Sequence, residues 1–90
     1  MEEFEREVEI KNRAGLHTRP AAMLVKLSSK YDSDIYLIKD GFTINAKSII
    51  GVMTLAAEFG SKLVIRAEGF DSKEAVESMA QLFDEGFGEP

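Results

Sequence analysis

The residues best suited to chemistry lie in one short run, Gly15-Leu16-His17-Thr18-Arg19-Pro20-Ala21, which holds the only histidine of the 90-residue chain. An imidazole with an unperturbed pKa of about 6.5 is largely neutral near pH 7 and keeps a lone pair free to attack. The residues around His17 read as a device for placing that ring at the start of a helix. Gly15 allows a backbone conformation that residues with a Cβ avoid. Pro20 is tolerated in a first helical turn, where its missing N–H would have had no partner. The helix is therefore predicted to begin at Thr18 or Arg19. With His17 as N-cap, Leu16 and Ala21 have the spacing of a hydrophobic staple. The free N–H groups of Thr18 and Arg19 would then lie beside the ring as an anion site. The Arg19 guanidinium adds a permanent charge and a planar donor fork suited to phosphate.

Each helix-end interaction of this kind is worth roughly 0.3–1 kcal/mol when exposed. That modest sum suits a passenger that must be released as well as taken up, and the pattern points to an imidazole that carries a phosphoryl group. A transition-metal centre fits poorly: the chain has no cysteine and no second histidine, so carboxylates alone would have to complete the ligands. No cofactor is expected.

Length and charge narrow the setting. Ninety residues, 44% of them hydrophobic, can fill one two-layer core, and a single domain over 1–90 is expected. A formal net charge of −5 argues against direct nucleic-acid binding, which favours a basic stripe. No apolar run approaches a membrane span, and no signal peptide is visible at the acidic N-terminus. Zero cysteines fit a cytoplasmic protein.

The elements that must position His17 follow from periodicity. Glu3 to Ile10 alternates, with Phe4, Val8 and Ile10 on an inner face that Arg6 interrupts near its rim, and so reads as a half-buried strand. Thr18 to about Ser29 is the first helix, with Ala21, Leu24, Val25 and Ser28 facing the core and Lys26 and Lys30 in solvent. Strands at Ile35–Lys39 and Phe42–Asn45 flank Asp40-Gly41, a hairpin signal. A short helix follows from Ser48 to about Leu55, then a strand at Leu63–Ala67. Asp71 caps a third helix that runs to about Asp84, with Glu74 completing a capping arrangement. Ala75, Val76, Met79, Leu82 and Phe83 form its apolar stripe, Gly86 stops it, and Phe87–Pro90 is a short tail. The order βαββαβα with antiparallel strands makes a two-layer α+β sandwich, and the pattern alone also permits a ferredoxin-like arrangement.

Ser48 is a good helix start, where a phosphate would meet free N–H groups. Ile49, Ile50 and Met53 cannot all face inward if Val52 and Leu55 do, so apolar side chains should be exposed there as a docking patch. From the residues alone, a plain serine N-cap on a slightly greasy short helix is the preferred account.

Gly15 through Ala22 resembles the active-site segment of the histidine-containing phosphocarrier (HPr) family of the bacterial phosphoenolpyruvate:sugar phosphotransferase system. Lys47-Ser48-Ile49-Ile50-Gly51-Val52-Met53-Thr54-Leu55 resembles the family's second signature, around its regulatory serine, and the two lie at the family's usual separation. The likeness covers nearly the whole chain. It implies an open-faced β-sandwich: a four-stranded antiparallel sheet of order 1-4-2-3 with three helices on one face. It implies that His17 takes a phosphoryl group at Nδ1, held by the Thr18 and Arg19 N–H groups and the Arg19 side chain. Enzyme I would be the donor, docking on the face of the first two helices (Thr18, Arg19, Ile49, Ile50, Met53), and an Enzyme IIA domain the acceptor. The protein would be a cytoplasmic, monomeric, stoichiometric carrier and not an enzyme.

The resemblance further implies that Ser48 matches a position modified by an ATP-dependent HPr kinase, whose phosphoserine product engages a catabolite-repression transcription factor. Relatives without that kinase also carry the serine. Two departures stand out. Ala14 replaces the Asn or Ser of many members, which removes a side-chain hydrogen bond near the loop. The extension through Gly88-Glu89-Pro90 is expected to keep the C-terminal carboxylate from the histidine that it approaches in shorter relatives. The Leu82-Phe83 to Phe87 region also resembles the nitrogen-branch relative of HPr, an alternative pathway for the same carrier chemistry. A non-catalytic coregulator paralogue is the other alternative, and those lack the active histidine. An acylphosphatase-like hydrolase is disfavoured, because Asn12 and Arg13 do not reproduce its phosphate loop.

Overall fold

Alternation along the strands and 3.6-residue periodicity along the helices give β1 (Glu3–Glu9), α1 (Thr18–Ser28), β2 (Asp34–Lys39), β3 (Phe42–Asn45), α2 (Ile49–Thr54), β4 (Lys62–Glu68) and α3 (Ser72–Asp84), followed by a single 3-10 turn, Gly86–Gly88. The computed structural model describes residues 2–90, so Met1, the first residue of the expected domain, lies outside the described residues. The strands form one antiparallel sheet in the order β1-β4-β2-β3. That order selects the open-faced sandwich over the ferredoxin-like arrangement.

Register explains the core. Val8 lies opposite Leu63, Leu37 opposite Ile65, and Ile35 opposite Ala67, so all six point to one face and all are buried. α3 lies across β1, β4 and β2, while α1 packs beside α2 and α3. Ala75, Val76, Met79 and Phe83 of α3, with Ala21 and Leu24 of α1, close the core from above. The β2–β3 hairpin turns at Asp40 and Gly41, both at positive φ (51° and 82°), the left-handed pair that a two-residue type I′ turn needs. Arg6 reaches from the sheet to the end of α3 (Nη2 to Asp84 Oδ2, 3.4 Å), the rim position expected for it.

Several expectations are corrected. Element ends shift by a residue or so: Ile10 is buried just beyond β1, and Leu55 is the C-cap of α2. Phe4 does not enter the core; it is 38% exposed at the sheet rim, with the Lys73 ammonium 5.8 Å from its ring centroid. Val25 and Leu82 are half-buried at the edges of their stripes. Asp71 is the residue before α3, but its side chain makes no capping hydrogen bond. Its carboxylate accepts instead from the N–H groups of Asp32 and Ser33 (2.9 Å each) and from the Ser33 hydroxyl. A tertiary demand thus outweighs the local one: Asp71 ties the start of α3 to the bend that launches β2.

Those bonds, the Ser33 hydroxyl foremost and the two backbone N–H groups after it, hold the Asp71 carboxyl below its ordinary pKa against the opposing effect of burial. A depressed carboxylate contributes its stability in full above the unfolded-state pKa and loses it as pH falls through the folded one. Asp71→Asn is therefore expected to lower Tm at neutral pH. The deficit should shrink once the pH drops below the usual aspartate range. A Tm difference that stayed constant across an acid titration would refute that role.

Candidate functional site

His17 is the N-cap of α1, with φ −80° and ψ −169°, and its carbonyl accepts the first helical bond from Ala21 N–H (3.0 Å). The helix starts at Thr18, and Leu16 and Ala21 are both buried, as a staple requires. Pro20 is buried in the first turn. The approach to the cap is equally fixed. Gly15 has φ +71°, its N–H donates to Asn12 O (3.1 Å), and Leu16 N–H donates to Ala57 O (3.0 Å), just beyond α2. The His17 side chain is 42% exposed and makes no capping bond to its own helix. It stands at the surface at the start of α1, where the first-turn N–H groups have no intrahelical acceptor.

The ring is not alone. Its Nε2 lies 2.9 and 3.0 Å from the two oxygens of Glu89. Arg19 Nη1 donates to Glu89 Oε2 (2.9 Å) and to the Phe87 carbonyl (3.3 Å), and Asn12 Nδ2 donates to Glu89 Oε1 (3.0 Å). One carboxylate therefore joins three side chains from two other parts of the chain. The ring's partner is not the C-terminal carboxylate, whose absence from the histidine was expected, but the Glu89 side chain, which sequence reasoning did not foresee.

The tail that delivers it is no loose end. Phe87 is 1% exposed, packs edge-on against Phe83 (centroids 5.0 Å apart, planes at 69°), and sits at φ +57°. A left-handed phenylalanine costs about 1–3 kcal/mol. Burial of the ring recovers roughly 1.5–3 kcal/mol, and the aromatic pair adds about 0.5–1.5. Packing thus outweighs strain, and the chain folds back. Pro90 O then accepts from Arg13 N–H (2.8 Å), and Glu89 lands on the ring.

Asn12 and Glu89 were not singled out from sequence as site residues. Asn12 is fully buried, and its amide also donates to Gly15 O (2.9 Å), so a side chain other than residue 14 ties the loop. Both of its Nδ2 partners are acceptors. That fixes the amide orientation and leaves Oδ1 buried without a partner.

Hydrogen bonding from His17 first, then from Arg19 and Asn12, lowers the Glu89 carboxyl from 4.5 to about 2 despite partial burial. By the same sign rule, the docked tail keeps its full contribution above about pH 4.5 and loses it as pH falls from there through about 2. The Phe87 ring resonances should stay constant down to the upper limit and move below it. In Glu89→Gln that movement should vanish; its persistence would show that another group governs docking.

The second stretch forms the surface expected of it. Ser48 is the exposed N-cap of α2, its Oγ accepting from Gly51 N–H (3.1 Å). Val52 and Leu55 are buried, whereas Ile50 is 74%, Met53 41% and Ile49 39% exposed. Because α2 packs on α1, these side chains and the first turn of α1 belong to one helical layer.

Comparison with known proteins adds the decisive observation. The family profile described as "PTS HPr component phosphorylation site" matches residues 4–85. The chain belongs to the HPr phosphocarrier family. The phosphocarrier protein HPr of Treponema pallidum is 46% identical over 82 residues, covering 91% of this chain and 93% of the relative. The HPr-like protein Crh of Bacillus subtilis is 41% identical over 81 residues, covering 90% and 95%. The crystal structure of HPr-C-His from Thermoanaerobacter tengcongensis superposes with a TM-score of 0.93 at 44% identity, over 97% of this chain and 98% of that one. The sheet order implied by the HPr resemblance is therefore the one found. No helix among the described residues is long and apolar enough to cross a membrane.

Proposed function

We propose that this HPr-family protein accepts a phosphoryl group from Enzyme I on His17 Nδ1 and passes it to an Enzyme IIA domain of the sugar phosphotransferase system. The observation that carries this reading is the position of His17, half-exposed at the N-cap of α1 with Arg19 two residues on in the first turn, inside the segment that the family profile matches. The Nδ1 lone pair forms the new N–P bond as the donor's N–P bond breaks and its electron pair returns to the donor nitrogen. The incoming charge meets the N–H groups of Thr18 and Arg19. The Arg19 guanidinium has donors beyond the one on Glu89, so it can serve phosphate as well. Positioning and charge stabilisation do the work, and the protein is a stoichiometric carrier with no cofactor of its own.

Docking is assigned to Thr18, Arg19, Ile49, Ile50 and Met53, the polar and apolar parts of one helical layer. A monomer in the cytoplasm is proposed as the working form. Ser48 is proposed as a regulatory phosphorylation position for an HPr kinase, with a catabolite-repression transcription factor as reader, because its hydroxyl is exposed at the cap. The presence of His17 weighs against a pure coregulator role like that suggested by the Crh relatives.

The test is incubation with Enzyme I and phosphoenolpyruvate. The expected product is an acid-labile phosphohistidine that an Enzyme IIA domain discharges. Nitrogen-branch partners that charge and discharge the protein more efficiently would move it to that branch. Absence of any phosphohistidine would overturn the carrier reading.

A further inference from the structure

We propose that Glu89 is a positioning residue that selects Nδ1 of His17 as the reacting nitrogen, by holding the proton of the ring on Nε2. This rests on the carrier reading above and deepens it. Both Glu89 oxygens lie within hydrogen-bond distance of Nε2, at 2.9 and 3.0 Å. A carboxylate only accepts, so Nε2 must donate, and the lone pair of the neutral ring is then confined to Nδ1. Glu89 is itself held on two other sides, by Asn12 Nδ2 at 3.0 Å and Arg19 Nη1 at 2.9 Å, and its side chain is only 13% exposed. Asn12 is in turn locked by its bond to Gly15 O. The ring is thus oriented by a group with little freedom of its own, the arrangement by which a buried carboxylate fixes the tautomer of a catalytic histidine.

Charge balance gives Glu89 a second effect in the same step. When Nδ1 of the neutral ring forms the N–P bond and the donor's N–P bond breaks, no proton has to move. The Nε2–H is retained, so the acceptor ring gains positive charge as the bond forms. The Glu89 carboxylate already faces that N–H, and a preorganised charge aimed at developing charge favours the transition state over the resting one. The carboxylate meets the ring at Nε2, the nitrogen that does not react.

The experiment compares wild type, Glu89→Gln and Glu89→Ala. The 15N shifts of both ring nitrogens are read on the protein alone, at a pH where the ring is neutral, and the rate of acceptance is read with saturating phospho-Enzyme I. Wild type should show one dominant tautomer protonated at Nε2. Glu89→Ala should lose that bias and accept about tenfold more slowly, a loss in the range seen when the partner orienting a metal-bound histidine is removed, with a smaller change in KM. Glu89→Gln keeps an acceptor oxygen but no charge. It should retain the tautomer and recover only part of the rate. Unchanged ring shifts or an unchanged rate in Glu89→Ala would overturn the proposal. Phe87→Ala, which frees the tail without touching the carboxylate, should reproduce the alanine phenotype, and wild-type behaviour there would count against it. If wild type takes no phosphoryl group, the carrier reading fails, yet the ring shifts still decide whether Glu89 sets the tautomer.

Discussion

His17→Ala is expected to take no phosphoryl group from Enzyme I while keeping its fold. Acceptance should fall below detection, because no second histidine exists and the anion site without a nucleophile cannot form a covalent bond. Stability should change little. The side chain is 42% exposed and makes no capping bond, its bonds to Glu89 leave that carboxylate still held by Asn12 and Arg19, and Leu16 and Ala21 are buried without it. A loss confined to about 1 kcal/mol corresponds to roughly 4–8 °C in Tm for a domain of this size. The measurement pairs a phosphohistidine assay with a thermal melt and the amide spectrum. A mutant that still formed an acid-labile phosphoprotein would place the carrier function elsewhere. A mutant that failed to fold would make His17 a structural residue.

What the sequence made legible, and what it did not, divides by the range of the interactions. The cap at His17 could be read because every part of it is local: Gly15 enters, Pro20 fits only the first turn, and Leu16 meets Ala21 across one turn. The exposure of Ile50 beside a buried Val52 followed from helical geometry over neighbouring residues. Asp71 misled because a capping box is also a local pattern, and nothing local reveals that Asp32 and Ser33 will arrive to claim the carboxylate. Glu89 was missed for the same reason in stronger form, since its partners His17 and Asn12 lie at the other end of the chain. A signal did exist. Phe87 stands between two glycines, four residues after Phe83, and a large aromatic so placed seeks a pocket. Once it is buried, the chain after it is held close to the start of α1, where Glu89 reaches His17. The sequence resemblance fixed neither point, because it spoke for the carrier segment and the sheet and treated the extension only as moving the C-terminal carboxylate.

The loop that presents His17 supplies the second large effect. Gly15→Ala is expected to destabilise the protein by about 2–6 kcal/mol and to slow acceptance as well. Two costs combine. The backbone is at φ +71°, where a residue with a Cβ is strained by about 1–3 kcal/mol. A Cβ built there would also lie 2.5 Å from Ala57 O and 3.2 Å from the Cα of Glu58. Backbone atoms cannot swing aside as a side chain would, and overpacking of this kind adds about 1–3 kcal/mol. Ala57 O is the acceptor for Leu16 N–H, so relief of the clash breaks the bond that holds the staple residue and moves the cap. Tm should therefore fall by at least about 8 °C, at roughly 4–8 °C per kcal/mol, and acceptance should suffer even in molecules that remain folded. Gly41→Ala separates the two costs. Its φ is +82°, but a Cβ there meets nothing within 4 Å, so only the backbone strain applies. Equal losses in the two variants would mean that the close approach of the loop to Ala57 contributes nothing, and that the position of His17 does not depend on it.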